Sequence, residues 1–290
     1  MIGGVILVAG SVFIGLLLIR ILASSRKRRA LEVQPFPEEW REICRRSVPL
    51  YKELPNDLRE PLERLVIRFL GTKQFEACGE LEEVTDEIRL TVATTACLLL
   101  IGSPNTKLPF PSLRSVLIYP DAYQRRGRDG EPVLEPEYSI EGEGDLTFDQ
   151  QGGALLGESW NSGSVILSWE VMRQDRDQGK DGFNLVLHEF AHQLDQEYSV
   201  AAGLPLLDSK AQYKSWADAF QEGFERHRER AATGWDTIID PYGAQDPAEF
   251  FACSTEVFFE LPEDLRRDVP DVFEELVTYY RIDPRDWTRG

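Results

Sequence analysis

Residues 184–197 read NLVLHEFAHQLDQE, and within them His188, Glu189 and His192 form an HExxH pattern. No other stretch constrains the fold as tightly, because the pattern has a clear sense on only one kind of element. On a helix turning about 100° per residue, His192 lies roughly 40° from His188, so both imidazoles share a face, and Glu189 sits near 100°, beside them. Val186, Leu187, Phe190, Ala191 and Leu194 fall between roughly 160° and 300°, with Leu185, near 60°, the exception. An oily face opposite a His/Glu face argues against two histidines that merely sit satisfied in a core. Two neutral imidazole nitrogens one turn apart can grip a single Zn²⁺, and the neighbouring carboxylate can reach a water at that ion.

A hydrolytic zinc site wants three protein ligands and one open position. The chain has three histidines. The third, His227, lies in FERHRER, a highly charged helical stretch where a solvated face is expected. A carboxylate is then the natural third ligand. Asp195 is the near candidate, about 20° from His188 on the histidine face, and could equally orient an imidazole by hydrogen bond. Glu249 is the far candidate, in DPYGAQDPAEFFACSTEVFFE (240–260). Its competing reading is structural, since Asp246-Pro247-Ala248-Glu249 resembles a capping-box helix start. Glu256, two turns later on the same face, is a third candidate. Spacing alone leaves all three open.

The net charge of −18 is unevenly spread. Residues 1–30 carry five positive side chains (Arg20, Arg26, Lys27, Arg28, Arg29) and no acids, so the remainder holds 27 Lys and Arg against 50 Asp and Glu, a net of −23. Such a body repels phosphates, and direct nucleic-acid binding is not expected. The four cysteines, Cys44, Cys78, Cys97 and Cys253, are scattered without a CxxC pair. That makes a cysteine zinc site unexpected, does not look like a disulfide framework, and fits reduced thiols in a cytosolic setting.

Ile2 to Ile19 is IGGVILVAGSVFIGLLLI, without a charge; Arg20, ILASS and RKRR at 26–29 follow. A run of this length just crosses a bilayer core as a helix, and Arg20 can snorkel to extend it. A cleaved signal peptide would carry its charges before the apolar stretch, and here they come after it. The expectation is a single-pass transmembrane anchor in residues 1–30, contacting lipid through residues 2–22, with RKRR on the cytoplasmic side of the inner membrane. Four basic residues beside the bilayer would also favour anionic lipid.

Residues 31–290 read as one soluble domain, with LEVQPFP (31–37) as a short linker. Helical patterns dominate from Glu38 to about Phe75, broken near Pro49 and Pro55. Thr85 caps a further helix, with Asp86 and Glu87 in its first turn and IRLTVATTACLLLIG (88–102) as its body. SVLIYP (115–120) and GSVILSWE (163–170) read as strands, and MRQDRDQGKDG (172–182) is a polar lead-in to the metal helix. Residues 121–163, rich in Gly, Asp, Glu and Pro, read as loops and short strands. No internal repeat is visible.

NLVLHEFAHQLD, with GESWNSGSVILSW before it and PYGAQDPAEFFACSTEVFFE after it, resembles the Mlc titration factor A family of zinc peptidases. LPNDLREPLERLVIRFLGTKQFEACG and VTDEIRLTVATTACLLLIG are similar to that family too, so the resemblance spans roughly residues 36–285. It implies an α+β, zincin-like metallopeptidase domain related to the catalytic domain of anthrax lethal factor. Such a domain is largely helical with a small mixed sheet, and here one transmembrane helix precedes it. It implies His188, His192 and Glu249 as zinc ligands, Glu189 as general base and Tyr242 as the tyrosine near the metal. GSVILSW resembles the edge strand along which zincins lay an extended peptide. The chain departs from the family's better-known soluble members in its apolar start, and a glucose-system repressor partner follows by family analogy alone.

The expected activity is zinc-assisted hydrolysis of a peptide or protein substrate, with Glu189 moving the proton and the Tyr242 phenol supporting the oxyanion. The alternative is a membrane-tethered regulatory protein that binds a repressor or other partner and uses the zinc structurally. A glutamate between the two histidines counts against it, because a structural ion needs no base there.

Overall fold

A computed structural model describes residues 35–103, 108–121, 125–126, 132–133, 163–197 and 203–289. The expected anchor (1–30) and most of 121–163 lie outside the described residues. Among the described residues, no helix is long and apolar enough to cross a membrane.

The first helices are α1 (Glu38–Ser47), α2 (Pro49–Glu53) and α3 (Asn56–Thr72). Their breaks fall at Pro49 and Pro55, where each proline follows a residue in extended backbone. In α1 the acids Glu38 and Glu39 occupy the first turn and Arg45 and Arg46 the last, complementing the helix dipole. Strand β1 (Gln74–Ala77) leads through α4 (Asp86–Leu98) to β2 (Ser115–Tyr119). The Thr85 hydroxyl accepts the Ile88 N–H at 3.3 Å and starts α4 as its sequence implies. Val92, Ala93, Ala96, Cys97 and Leu98 are fully buried, so α4 is a core helix.

The sheet has the order β1-β2-β5, with β5 at Ser164–Ser168, and both pairings are parallel. Parallel neighbours need a crossover connection, which α4 supplies between β1 and β2. Strands β3 (Arg125–Arg126) and β4 (Pro132–Val133) form a separate antiparallel pair. Among the described residues, the strands thus form a three-stranded parallel sheet and a two-stranded antiparallel ribbon. β5 also stops earlier than its apolar run suggests. Ser168 accepts the Val171 N–H at 3.3 Å and opens helix α5 (Trp169–Gln178), so the polar stretch from Met172 to Gln178 is helical.

The remaining elements are α6 (Leu185–Gln196), α7 (Lys210–Ala232), a 3-10 turn at Pro241–Ala244, α8 (Pro247–Glu260), α9 (Pro262–Asp268), α10 (Pro270–Tyr280) and a 3-10 turn at Pro284–Arg289. The oily face of α6 does what its pattern requires: Val186, Leu187, Phe190, Ala191 and Leu194 are all buried. Phe190 packs edge-on against Phe110, ring centroids 4.8 Å apart, and meets Phe69 at 5.7 Å. On the other side of the core, Trp216 and Phe220 of α7 stack at 4.0 Å, and Phe251 of α8 meets both. α6 and α8 are thus clamped side by side, with their polar faces turned to each other.

Candidate metal centre

Asn184 starts α6, its side-chain oxygen accepting the Leu187 N–H at 3.1 Å. One turn further on, His188 and His192 are both buried, with ring centroids 4.8 Å apart. α8 starts at Asp246, whose carboxylate accepts the N–H of Ala248 at 2.8 Å and of Glu249 at 3.0 Å. The two readings of Glu249 are therefore compatible. Its backbone is capped as a helix start, while its side chain crosses to α6.

The crossing brings three donor atoms together. His188 Nε2 and His192 Nε2 are 3.1 Å apart. Glu249 Oε2 lies 3.1 Å from the first and 3.2 Å from the second. An edge of a tetrahedron with zinc–ligand bonds near 2.05 Å is about 3.3 Å, so this triangle has the size of one tetrahedral face. Three lone-pair donors converging at this distance repel one another unless a proton or a cation lies among them. The donor chemistry, two imidazoles and one carboxylate, suits a divalent ion of the zinc type.

The electrostatics agree with that charge demand. Burial opposes the charge of Glu249, but hydrogen bonds to His188 and His192 outweigh it and hold the carboxyl well below its usual range. Burial pushes His192 towards its neutral form, the form that ligates. His188 experiences the same burial, which the carboxylates of Glu256 and Glu249 and the Cys253 thiol more than offset. Glu189, partly buried on the same helix, is pushed up to about 7 by burial, with Glu249 and Glu256 adding to the shift and His188 opposing it. A carboxyl poised near neutrality can both take and return a proton. Tyr242 lies in the 3-10 turn, its ring centroid 6.0 Å from that of His188. Burial, and then Glu249, raise its phenol above the ordinary range, so it remains a neutral donor.

The other candidates have different places. Asp195 is buried and turned away, its oxygens receiving the backbone N–H of Gly203 at 2.9 Å and Leu204 at 2.8 Å. Glu256 faces the opposite nitrogen of the His188 ring, with Oε1 2.8 Å from Nδ1. His227, expected on a solvated face, is buried instead: Nε2 lies 3.0 Å from the Asp240 carbonyl oxygen and the ring packs on Phe250. It braces α7 against the segment that leads to Tyr242.

Four residues around the centre go beyond those the sequence singles out. Asn184, Asp175, Cys253 and Glu260 surround the start of α6 and the back of His188. Asp175 accepts the Leu185 N–H at 2.9 Å, and Glu260 accepts the Gly182 N–H at 3.2 Å and the Asn184 amide at 3.0 Å. The signal for Asn184 is its place as a capping residue immediately before the apolar periodicity begins. The signal for the others on α8 is the spacing Glu249, Cys253, Glu256, Glu260, which is a helical stripe.

Comparison with known proteins relates the chain to a wider group. Residues 22–281 match the family model described as glucose-regulated metallo-peptidase M90. An uncharacterized protein of Synechocystis sp. is 34% identical over 259 residues, covering 89% of each chain. Mlc titration factor A of Pectobacterium atrosepticum is 31% identical over 258 residues, covering 85% of this chain and 87% of that protein. Mlc titration factor A of Escherichia coli is 30% identical over 255 residues, covering 84% and 86%.

Proposed function

The chain belongs to the glucose-regulated metallo-peptidase M90 family, and from that membership we propose that it is a zinc-dependent peptidase whose centre is His188, His192 and Glu249. One observation carries the reading: the three donor atoms of these residues stand 3.1–3.2 Å apart beside a partly buried Glu189.

Bound zinc would supply Lewis acidity, polarising a peptide carbonyl and making water a better proton donor. The rest is the work of the chain. Glu189 accepts a proton from the attacking water on a carboxylate oxygen, then delivers it to the leaving amine nitrogen. The Tyr242 O–H donates to the oxygen of the former carbonyl as negative charge gathers there. Glu249 keeps its charge and stands 3.1–3.2 Å from both imidazoles. On β5 one edge is bonded to β2, and no other described strand pairs with the second edge. That edge suits an extended peptide lying as an added strand.

Residues 1–30 are proposed as a single-pass anchor, with residues 31–290 as the catalytic domain on the cytoplasmic side. The relatives' name, Mlc titration factor A, supports a transcriptional repressor as a protein partner by analogy. A structural role for the ion is disfavoured by Glu189, which such a site would not need.

The test is a peptide library offered to the zinc-loaded protein and to Glu189→Gln. Cleavage by the parent, and none by a variant that still holds zinc, supports the reading. Equal cleavage by both contradicts it. Membrane fractionation with and without residues 1–30 tests the anchor, and a parent found wholly in the soluble fraction removes it.

A further inference from the structure

We infer that Glu256 is a positioning residue for the metal centre: its two oxygens bind the His188 ring on one side and the backbone N–H of Asn184, the capping residue of the metal helix, on the other, so that His188 presents Nε2 to an ion. The inference rests on the metal centre proposed above and concerns how that centre is held.

Glu256 is almost wholly buried. Oε2 accepts the Asn184 N–H at 2.5 Å, and Oε1 lies 2.8 Å from His188 Nδ1. The Asn184 N–H is a donor in every state, so Oε2 must accept. On the other face of the ring, Nε2 points at His192 Nε2 and Glu249 Oε2, two atoms that offer lone pairs. Lone pairs on all three atoms call for a cation among them; with an ion there Nε2 must keep its own lone pair, and the single ring proton then belongs on Nδ1, where Oε1 receives it.

Only a carboxylate fits between these two donors. A glutamine has one acceptor. With its oxygen on the Asn184 N–H, its amide would donate to Nδ1 and force the proton onto Nε2, blocking the ligand atom. With its oxygen on Nδ1–H, its NH₂ would face another N–H. Glu260 supports the arrangement from one turn below, holding Asn184 by its amide. Glu249, Cys253, Glu256 and Glu260 fall within roughly 60° of arc on α8. One helix face thus carries the ligand, the carboxylate behind the ring and the carboxylate under the cap.

The experiment uses the full chain. Zinc affinity is read by competition with a chromophoric chelator, beside heat unfolding of the metal-free protein and kcat and KM on a cleaved peptide. Glu256→Gln is expected to weaken zinc binding about 10- to 100-fold. At saturating zinc it should lower kcat with little change in KM. Glu222→Gln, on the exposed side of α7, should leave zinc affinity unchanged. A Glu256→Gln protein that binds zinc as tightly as the parent overturns the inference. If the variant does not fold, nitrogen NMR of ¹⁵N-histidine in the zinc-loaded parent decides. Zinc-ligated rings that carry their proton on Nδ1 support the inference, and one protonated at Nε2 overturns it. A parent that holds no zinc removes the peptidase reading together with this one. A parent that holds zinc and cleaves peptide, but is matched by Glu256→Gln, removes this one alone.

Discussion

The carboxylate of Asp195 receives the backbone N–H of Gly203 at 2.9 Å. Gly203 has φ +68°, and a Cβ there would come 2.2 Å from the carbonyl oxygen of Pro247, the first residue of α8. The metal helix is therefore tied through Asp195 to the point where the helix bearing Glu249 begins.

Asp195→Ala should leave two backbone donors without their acceptor in a buried place, costing about 2–4 kcal/mol of stability. It should still hold zinc at saturation, because Asp195 is not among the converging donors. Urea unfolding and metal analysis check both halves. Zinc lost from a variant that stays folded would return Asp195 to the ligand set.

Glu249→Ala should retain its fold, since Asp246 still caps α8, yet its zinc content should fall from about one ion per chain to almost none. Dialysis followed by elemental analysis reads this directly. Full occupancy in the variant would contradict the triangle.

Tyr242→Phe removes one hydroxyl and keeps the ring that packs near His188. A donor that acts only as charge develops should cost about 10²–10³ in kcat and little in KM. Steady-state kinetics on one cleaved peptide separates the two. A change confined to KM would mean that Tyr242 holds the substrate and not the oxyanion.

Phe190→Ala would open a cavity between α3, the Phe110 turn and the back of the metal helix. The expected cost is about 3–5 kcal/mol. Calorimetry of the metal-free protein measures it apart from zinc binding.

Asp175, which accepts the Leu185 N–H at the start of the metal helix, gives a pH prediction. Burial first, and Glu256 and Asp181 after it, push its carboxyl from 3.8 up to about 8, against the Leu185 N–H. The folded protein keeps a proton there that the unfolded chain releases. Its contribution to stability is complete below the unfolded value and is lost as pH rises through about 8. Asp175→Asn keeps an acceptor for the Leu185 N–H and removes the titration. Relative to the parent, the variant should gain up to about 1.4 kcal/mol per pH unit between roughly pH 5 and pH 7.5. Urea unfolding across that range, with parallel curves for the two proteins, would show that Asp175 does not titrate there.

Much of α6 is legible in the sequence, because both its motif and its 3.6-residue period are local. The same holds for Thr85, for Asp246 and for the proline breaks. The choice among Asp195, Glu249 and Glu256 is not legible from spacing. All three can lie on suitable helix faces, and the decision rests on how α8 crosses α6, a tertiary fact. The family resemblance points to Glu249, and the geometry brings that side chain to the histidines. His227 reads as solvated because Arg226 and Arg228 stand beside it, and its burial corrects that expectation. Trp216, Phe220, Gly223 and His227 form the buried stripe of α7, at intervals of four, three and four, and that period is the readable signal. α5 leaves little trace in the sequence because only Met172 and Asp175 on it are buried, too few for an apolar rhythm to emerge.

The single stripe on α8 limits how this helix can change over evolutionary time. Inserting one residue between Glu249 and Glu256 would swing everything downstream by about 100°. The carboxylate behind the His188 ring would then face elsewhere, while the ligand stayed put. Point replacements on the outer side of α8 leave that relation intact. A frame slip inside it does not, so length along these eight positions should be held far more strictly than identity on the opposite side.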